Sequence, residues 1–430
     1  MQLKESDYNF IYDDLGKDQV VFYNSRTGAL AVVHEAQYQQ FKAFQETGKE
    51  IEDTEFLNNL LKCGYLLPAG VDEKFLITTS MMFARYSKNS LSLTIAPTMA
   101  CNFRCIYCFE QGHYGNSMMD EETQELLMKF IKSRLDGVKM VHITWFGGEP
   151  LLGMPIIESL SQQIMALCEE REIHYYAGII TNGYLLTQET AEKLRKYKVQ
   201  FVQVTVDGPK KIHDTRRPSI NGQGTYDVIM NNLKTIRGIL QVHLRINVDF
   251  ENIDAADEVV SYLKQENMLE YVYPYLGLVI SYNNTYEKNK CLTDELYSKY
   301  NLQFLLRNNI PLQTTYPKPR GNHCVSDFYN GWVVDDKGYL YKCWNDIGDV
   351  KKSVGNIHFE QNILQNTNLI SEYSSCDFLD DPACKDCKLL PVCLGGCPHM
   401  RMEGKPSCHQ LRFSMKDYLI ECTRHMVSVV

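Results

Sequence analysis

Apolar runs alternate with stretches of helical periodicity across the middle of the chain. The runs are rich in β-branched residues, are typical of buried strands, and cover 91–97, 140–146, 175–180, 201–206, 242–248 and 271–280. Helical patterns fall between them at 120–135, 154–170, 187–197, 223–238 and 254–266. Strands that alternate with helices in this way pair in parallel through right-handed crossovers. Six such strands are too few to close an eight-stranded barrel, so residues 91–310 are predicted to form an open, partial (β/α)6 barrel of the α/β class.

The first 70 residues alternate apolar and polar positions between short turns, which is typical of an antiparallel sheet. Three strands are predicted at 8–12, 19–24 and 29–34. Amphipathic helices are predicted at 36–47, 54–63 and, as a docking helix, 75–86. The pattern therefore predicts a winged-helix-like α+β domain over 1–70 and a linker over 71–90.

The pattern changes again after residue 310, where prolines and Gly321 mark a break. Two short strands around the sequence DDKG are predicted to form a hairpin within 332–342. Cysteines are dense between Cys324 and Cys408. Residues 311–430 are therefore predicted to form a third region.

Composition narrows the class of protein. Apolar content of 44% and charged content of 23% are ordinary for a globular protein, and the net charge of −9 argues against nonspecific binding to nucleic acid. We expect no membrane partner, because no run of 18 apolar residues occurs, and no signal peptide, because the polar start MQLKESDYNF lacks an apolar core. The 15 cysteines then indicate metal binding in a reducing cytoplasm.

Three of these cysteines, Cys101, Cys105 and Cys108, are spaced C-x3-C-x2-C directly after the first predicted barrel strand. A short loop with this spacing can place three thiolates at three corners of a 4Fe–4S cluster, which leaves one iron open to a small molecule. The alternative is a chance grouping, which the position between a predicted strand and a predicted helix disfavours. The spacing indicates a cluster-binding catalytic loop.

With Tyr107 as the aromatic, C-x3-C-x-aromatic-C resembles the signature of the radical S-adenosylmethionine (SAM) family. The resemblance implies that the amino and carboxylate groups of SAM chelate the open iron. It also implies that an electron from the cluster cleaves SAM to methionine and a 5′-deoxyadenosyl radical, which takes a hydrogen atom from the substrate. The protein would position this cofactor chemistry.

The resemblance also implies SAM contacts at the carboxyl ends of the strands. Glu149 would accept from the SAM ammonium, Arg217 or its neighbour Arg216 would bind the carboxylate, and Tyr107 would pack on the adenine. Other interpretations stay open: a glycine turn with a solvated glutamate, a solvated charge run, an internal salt bridge, or a core aromatic. The full set of predicted cofactor contacts is Tyr107, Gly147, Gly148, Glu149, Thr181, Asn182, Thr205, Asp207, Arg217, Arg245 and Asn247.

The later cysteines form a second pattern, C-x13-G-x4-C followed by C-x2-C-x5-C-x3-C and a last cysteine. It resembles the SPASM extension of radical SAM enzymes, which binds auxiliary 4Fe–4S clusters, so three clusters are expected in total. The resemblance implies two sets of ligands. The distal cluster would be held by Cys384, Cys387, Cys393 and Cys408. The proximal cluster would be held by Cys324, Cys343 and Cys397.

The proximal set has only three cysteines, because Lys318 stands where some family members have a fourth. Either one iron is open to a substrate thiolate, or Cys291, Cys376 or His323 fills the position. A structural zinc site on the two closely spaced cysteine pairs is the alternative. That site would leave Cys324, Cys343 and Cys408 unexplained.

The N-terminal domain resembles the leader-peptide recognition domain of enzymes that modify ribosomally made peptides, where a leader adds a strand to a sheet edge. The favoured function is therefore a radical SAM maturase that forms thioether crosslinks in a cysteine-containing precursor peptide, of the sactipeptide or ranthipeptide type. We expect a flavodoxin or ferredoxin as the electron donor.

Three other functions stay open. One is a carbon–carbon crosslinking maturase. Another is an anaerobic sulfatase maturase that forms formylglycine, although Trp344 stands where some of those enzymes have an aspartate. The last is a non-catalytic iron–sulfur electron carrier or peptide-binding chaperone, which the intact cysteine loop and the GGEP sequence disfavour.

Overall fold

The structure is a computed structural model that describes residues 2–13, 18–282, 284–359, 362–375 and 377–424. The described residues form fourteen strands: β1 (Leu3–Glu5), β2 (Asn9–Tyr12), β3 (Gln19–Asn24), β4 (Ala29–His34), β5 (Leu66–Pro68), β6 (Ser90–Ile95), β7 (Met140–Trp145), β8 (His174–Thr181), β9 (Val199–Thr205), β10 (Val242–Val248), β11 (Val272–Leu278), β12 (Gly331–Val334), β13 (Tyr339–Tyr341) and β14 (Gly355–Asn356).

The same residues form fourteen α-helices: α1 (Glu35–Thr47), α2 (Thr54–Cys63), α3 (Glu73–Arg85), α4 (Glu121–Ser133), α5 (Met154–Glu170), α6 (Gln188–Lys196), α7 (Lys210–Arg216), α8 (Tyr226–Thr235), α9 (Ala256–Gln265), α10 (Asp294–Arg307), α11 (Thr367–Tyr373), α12 (Leu390–Cys393), α13 (Pro398–Met402) and α14 (Met415–Arg424).

The chain packs as two compact units. One contains Met1–Arg85, Asp294–His323 and Ser375–Val430, and the other contains Tyr86–Thr293 and Cys324–Ser374. The first 85 residues therefore pack with two later segments. The four-part division into 1–70, 71–90, 91–310 and 311–430 stays a prediction.

The unit built on Tyr86–Thr293 contains a nine-stranded sheet in the order β11-β10-β9-β8-β7-β6-β12-β13-β14. Strands β6 to β11 pair in parallel in the order of the sequence, as predicted. Their helix-facing residues are fully enclosed, for example Leu91, Leu93 and Ile95 on β6, because helices α4 to α9 follow the strands. Among the described strands nothing pairs β11 with β14, so the sheet is open, and the predicted partial barrel is confirmed.

The sheet also includes a strand that the sequence pattern assigned only to a local hairpin. Strands β12 and β13 form the predicted hairpin, with Val333 opposite Tyr341. In addition, β12 pairs in parallel with β6, where Val333 lies opposite Thr94. The Cys343 that follows β13 is therefore carried by the same sheet as the cysteine loop after β6.

The other unit contains the predicted three-stranded antiparallel sheet in the order β2-β3-β4, together with a β1-β5 pair that was not predicted. Phe22 on β3 packs against Phe41 of α1, at 5.1 Å between ring centroids, and against Tyr65, at 5.4 Å. Helix α2 ends at Gly64, whose φ of 81° is the left-handed conformation that glycine adopts readily. The predicted strands and helices of this region are confirmed.

Helix α5 and the turn before it, Pro150–Glu170, are the one described stretch long and apolar enough to cross a membrane, with a mean hydropathy of 1.3. A core helix passes the same test. Ile157, Leu160 and Ile164 on α5 are fully enclosed by protein. The stretch is therefore weak evidence for a membrane span.

Candidate active site

The loop that carries Cys101, Cys105 and Cys108 lies between β6 and α4, at the carboxyl end of the parallel sheet. Backbone hydrogen bonds fix its path. The Arg104 amide donates to the Pro218 carbonyl at 2.9 Å, and the Ile220 amide donates to the Asn102 carbonyl at 2.8 Å. The segment after α7 therefore holds the cysteine loop in place.

The three cysteines are partly buried. Burial raises the pKa of Cys101 and of Cys105, and it raises the pKa of Cys108 to about 12. Thiols in such surroundings stay protonated until metal ions displace the protons. Three cysteines on one short, pinned loop fit three corners of an iron–sulfur cluster.

The hydroxyl of Tyr107 brings four of the predicted site residues together. It donates to Asp207 Oδ1 at 2.8 Å, and it accepts from Arg217 Nη1 at 2.7 Å and from Asn247 Nδ2 at 3.0 Å. Asn247 in turn accepts from Arg245 Nε at 2.6 Å. The Tyr107 hydroxyl, within the cysteine loop, is thus bonded by residues that follow β9, lie on β10 and follow α7.

Arg216 and Arg217 have different surroundings, which the sequence did not separate. Arg216 donates to both oxygens of Asp249, at 3.2 and 2.8 Å, and to Asp207 Oδ2 at 3.1 Å. Its charge is therefore already neutralised within the protein. Arg217 is buried, donates to the Tyr107 hydroxyl, and keeps an enclosed Nε without a hydrogen-bond partner. Arg217 is the guanidinium that has a donor available for a ligand carboxylate.

The two glycines of the GGEP sequence allow close contacts with the backbone of residues 98–100. A Cβ on Gly147 would lie 2.5 Å from the Thr98 carbonyl oxygen, and one on Gly148 would overlap the carbonyl of Ala100. The amide of Glu149 donates to that same Ala100 carbonyl at 2.8 Å. The two glycines therefore let this loop lie directly against the strand exit that leads into the cysteine loop.

The carboxylate of Glu149 has three donors inside the protein. It accepts from the Leu151 amide at 3.1 Å, the Thr181 hydroxyl at 2.6 Å and the Asn182 amide at 2.7 Å. Asn182 Nδ2 also donates to Asn102 in the cysteine loop at 2.7 Å. Glu149 thus joins the ends of β7 and β8, and its predicted contact with the SAM ammonium stays a prediction.

Thr205 on β9 and Arg245 on β10 lie opposite each other in the parallel sheet. Gly277 on β11 provides space for Arg245, because a Cβ there would overlap the guanidinium. Nearby, the Tyr275 hydroxyl donates to Gln203 at 2.6 Å. No motif or spacing in the sequence indicated this role for Gly277.

Glu110 is a site residue that the sequence reasoning missed. It is 4% exposed, and its Oε1 is enclosed without a hydrogen-bond partner. Burial, with a smaller contribution from the Glu149 charge, raises the pKa of Glu110 to about 8. The only signal in the sequence was its position, two residues after Cys108.

In the other unit, one cavity is lined by all four cysteines of the predicted distal set, Cys384, Cys387, Cys393 and Cys408. Arg412 Nη1 donates to Cys408 Sγ at 2.7 Å, and Arg401 Nη1 lies 3.8 Å from Cys384 Sγ. Four thiols around one cavity fit the ligands of a 4Fe–4S cluster or of zinc.

The predicted proximal set is divided between the two units, so its assembly stays a prediction. Cys324 Sγ lies 3.0 Å from the Ser326 hydroxyl, and Cys343 is buried after β13. Cys397 precedes α13. Of the candidates for a fourth ligand, Cys291 Sγ donates weakly to the Glu287 carbonyl at 3.8 Å, and Cys376 lies outside the described residues.

Residues 95–263 match the family model of the Radical SAM superfamily. The chain therefore contains a radical SAM domain, and the cysteine loop and the strand ends described above lie within it. This confirms the family that the cysteine spacing indicated.

Among curated proteins, the chain is 25% identical over 361 residues to a cysteine-type anaerobic sulfatase-maturating enzyme of Clostridium perfringens, covering 76% of this chain and 94% of that protein. It is also 25% identical over 335 residues to the radical SAM cyclopropyl synthase TigE of Paramaledivibacter caminithermalis, and the match covers 69% of this chain and 65% of that protein.

Solved structures show the same fold. Native anSMEcpe with bound AdoMet is matched with a TM-score of 0.62 and 21% identity, over 79% of this chain and 98% of that one. Streptococcus suis SuiB bound to the precursor peptide SuiA is matched with a TM-score of 0.50 and 15% identity, over 95% of this chain and 98% of that one.

Proposed function

We propose that this enzyme modifies a cysteine-containing ribosomal precursor peptide and forms thioether crosslinks in it. The observation that carries the proposal is the sheet β2-β3-β4. It is a small antiparallel sheet whose outer strands pair, among the described residues, only with β3. An extended peptide can pair with such an edge through its main chain. The likeness to SuiB, which was solved with a precursor peptide, supports the same interpretation.

In this proposal the three cysteines of the loop hold a 4Fe–4S cluster with SAM at its open iron, which supplies a radical that takes a hydrogen atom from the substrate. Arg217 would orient SAM through its carboxylate, and the residues around the Tyr107 hydroxyl would keep Arg217 in place. The distal cysteines would hold an auxiliary cluster in the cavity beside Arg412, and the proximal cysteines a further one. A flavodoxin or ferredoxin would supply the electron.

Formation of formylglycine is the second candidate, because a sulfatase-maturating enzyme is among the relatives. Trp344 stands where some of those enzymes have an aspartate. Its indole Nε1 donates to the Thr94 hydroxyl at 2.9 Å, and its ring packs against Phe146 at 5.3 Å. An indole in these contacts cannot accept a proton as a general base. This disfavours the second candidate.

Mass spectrometry of a co-expressed precursor peptide tests the proposal. A thioether product loses two hydrogens and one alkylatable thiol. The same mass loss with every thiol still alkylated would identify carbon–carbon coupling, and conversion of cysteine to an aldehyde would identify formylglycine. Changing any one of Cys101, Cys105 or Cys108 to Ala is expected to abolish turnover.

Hydrogen–deuterium exchange on the full-length enzyme tests leader binding separately. Added precursor is expected to protect backbone amides of β2 or β4, because strand addition engages the free edge. A precursor without its leader is the control and should give no protection. If the complete precursor protects neither strand, the sheet does not recognise the leader.

A further inference from the structure

Helix α3 has two apolar faces, and the rest of the described chain covers only one of them. Ile77 and Met81 belong to a buried core of their own unit, where they are 7% and 0% exposed. On the other side of the helix, Phe75 is 66% exposed and Phe83 is 76% exposed. Single apolar residues on a surface are ordinary, but two phenylalanines this exposed on one short helix indicate a surface that binds another protein.

The exposed face is one continuous stripe along α3. Phe75, Thr79, Met82 and Phe83 have the spacing i, i+4, i+7 and i+8, which places side chains on one side of a helix, and Leu76 lies at the edge of that side. Leu76 and Met82 are also exposed, at 43% and 37%. None of these five residues, called here the α3 stripe, carries a charge.

The α3 stripe is symmetric about Thr79. Phe75 and Phe83 each lie four residues from Thr79, and Leu76 and Met82 each lie three residues from it. When two copies of a helix pair antiparallel about a two-fold axis at a central residue, each position contacts its mirror position in the other copy. Pairing at Thr79 therefore places Phe75 of one copy against Phe83 of the other, and Leu76 against Met82. The stripe is complementary to itself.

Electrostatics favour the same pairing. A two-fold contact brings equivalent surfaces together, so a charged residue near the axis would face an identical charge, and the α3 stripe has none. Antiparallel pairing also sets the positive end of one helix dipole beside the negative end of the other.

The area of the stripe limits the strength of the contact. The exposed parts of its four apolar side chains amount to about 400 Å² per copy, which is less than the roughly 800 Å² per partner of a standard stable interface. The contact is therefore expected to be weak and to depend on protein concentration.

We propose that the α3 stripe is a self-association surface on which two copies of this chain pair antiparallel about Thr79. The small side chain of Thr79 at the axis lets the two helices approach closely, and the phenylalanines pack on either side of it. The inference depends neither on the peptide substrate nor on the SAM site.

Sedimentation velocity of the full-length, anaerobically purified enzyme tests the proposal at protein concentrations up to about 100 μM. We expect the wild type to shift from monomer to dimer as the concentration rises. Phe83→Glu should weaken the dimer by about 10-fold or more, because it sets a charge against Phe75 of the other copy. Phe359→Glu is the matched control, since Phe359 is 49% exposed in the other unit, and it should dimerise as the wild type does.

Opposite charges test the antiparallel arrangement. Phe75→Glu and Phe83→Lys should each weaken the dimer, and the two changes combined in one chain should recover part of the affinity, because each glutamate then faces a lysine of the other copy. A photoreactive benzophenone residue in place of Phe75 gives an independent measurement. In a mixture of isotope-labelled and unlabelled enzyme, it should attach to the peptide of the other copy that contains Phe83.

Three results would overturn the proposal. One is a wild-type enzyme that stays monomeric at about 100 μM, which would assign the stripe to a different partner. Another is a dimer whose affinity is the same in Phe83→Glu as in the wild type. The third is a benzophenone residue that attaches within its own copy or at a site away from Phe83, and this result does not depend on how the charged variants fold.

Discussion

Arg217 Nη1 donates to the Tyr107 hydroxyl across 2.7 Å, and this contact joins the segment after α7 to the cysteine loop. The same hydroxyl bonds Asp207 and Asn247, so one oxygen connects the loop with the ends of β9 and β10. Hydrogen bonds that converge on one buried atom restrict the side chains that share it, and removing that atom affects all of them. The aromatic residue of the cysteine signature is therefore a structural centre of the site.

Tyr107→Phe tests that role. The variant keeps the ring but leaves three buried polar groups without their shared partner. We expect it to destabilise the iron-free protein by about 2–3 kcal/mol, the range for unsatisfied buried groups. Thermal unfolding under reducing conditions measures the effect. Tyr273→Phe is the control, because Tyr273 is 39% exposed and its hydroxyl makes only a 3.4 Å contact. Equal unfolding midpoints for wild type and Tyr107→Phe would contradict the structural role.

Gly148→Ala tests the contact between the GGEP loop and the cysteine loop. A methyl group at this position would overlap the Ala100 carbonyl, and backbone cannot move aside as a flexible side chain can. We expect destabilisation of about 2 kcal/mol, typical of overpacking, together with a lower iron content after reconstitution. Gly115→Ala is the control, since its Cβ would meet Met99 at an ordinary 3.5 Å. If Gly148→Ala loads as much iron as the control, the close contact between the GGEP loop and the cysteine loop is not needed for cluster binding.

Local patterns predicted most of this structure. The six parallel strands follow from apolar runs between helical stretches, and β2, β3 and β4 follow from alternation between short turns. Each of these patterns lies within one segment of the chain. The pairing of β12 with β6 joins residues far apart in sequence, and no periodicity in either strand indicates its partner.

The site was predictable as a set of motifs, but the partners of individual side chains were not. Spacing could not show that Arg216 is neutralised by Asp249 while Arg217 keeps a free donor, because the two are adjacent in one charged run. It also could not show that Glu149 accepts a hydrogen bond from Thr181 at the end of the neighbouring strand. Such differences depend on burial and on side chains from other strands, which only the folded structure reveals.

The turn between β12 and β13 is expected to make stability depend on pH. Burial raises the pKa of Asp335 to about 6, although hydrogen bonds from Tyr341 and from the Tyr339 and Lys337 amides act to lower it. The folded state then binds a proton between about pH 4 and 6 that the unfolded state has released. The contribution of Asp335 to the free energy of unfolding therefore falls as pH rises through that window, by about 3 kcal/mol in total.

Asp335→Asn removes the titrating group and keeps its shape and its acceptor oxygen. Denaturant unfolding of iron-free protein at several pH values gives the unfolding free energy of both proteins. From pH 4 to pH 6 the unfolding free energy of the wild type should fall relative to that of the variant. Above pH 7 the difference between the two unfolding free energies should stay constant. A difference that is constant across the whole range would show that Asp335 has an ordinary pKa in the folded state.

The proposed auxiliary cluster in the four-cysteine cavity should have a reduction potential set partly by Arg412. Arg412 donates to Cys408 Sγ at 2.7 Å, and hydrogen bonds and positive charge at the sulfur ligands favour the reduced cluster. Arg401 approaches Cys384 only to 3.8 Å, and it is paired with Asp381 at 3.1 Å and Asp377 at 3.3 Å. The two arginines therefore form a matched pair in which only Arg412 has an uncompensated effect on a sulfur.

Arg412→Gln should move the midpoint potential of this cluster to a more negative value, whereas Arg401→Gln should move it less. Redox titration followed by electron paramagnetic resonance measures both shifts, and iron content confirms that each variant keeps its clusters. Arg412→Lys should restore part of the shift, because the lysine keeps the charge but not the guanidinium geometry. An unchanged potential in Arg412→Gln would show that the 2.7 Å contact does not persist once the cluster is bound. A four-cysteine site that binds zinc and shows no redox signal would exclude an auxiliary cluster there, because zinc undergoes no redox change.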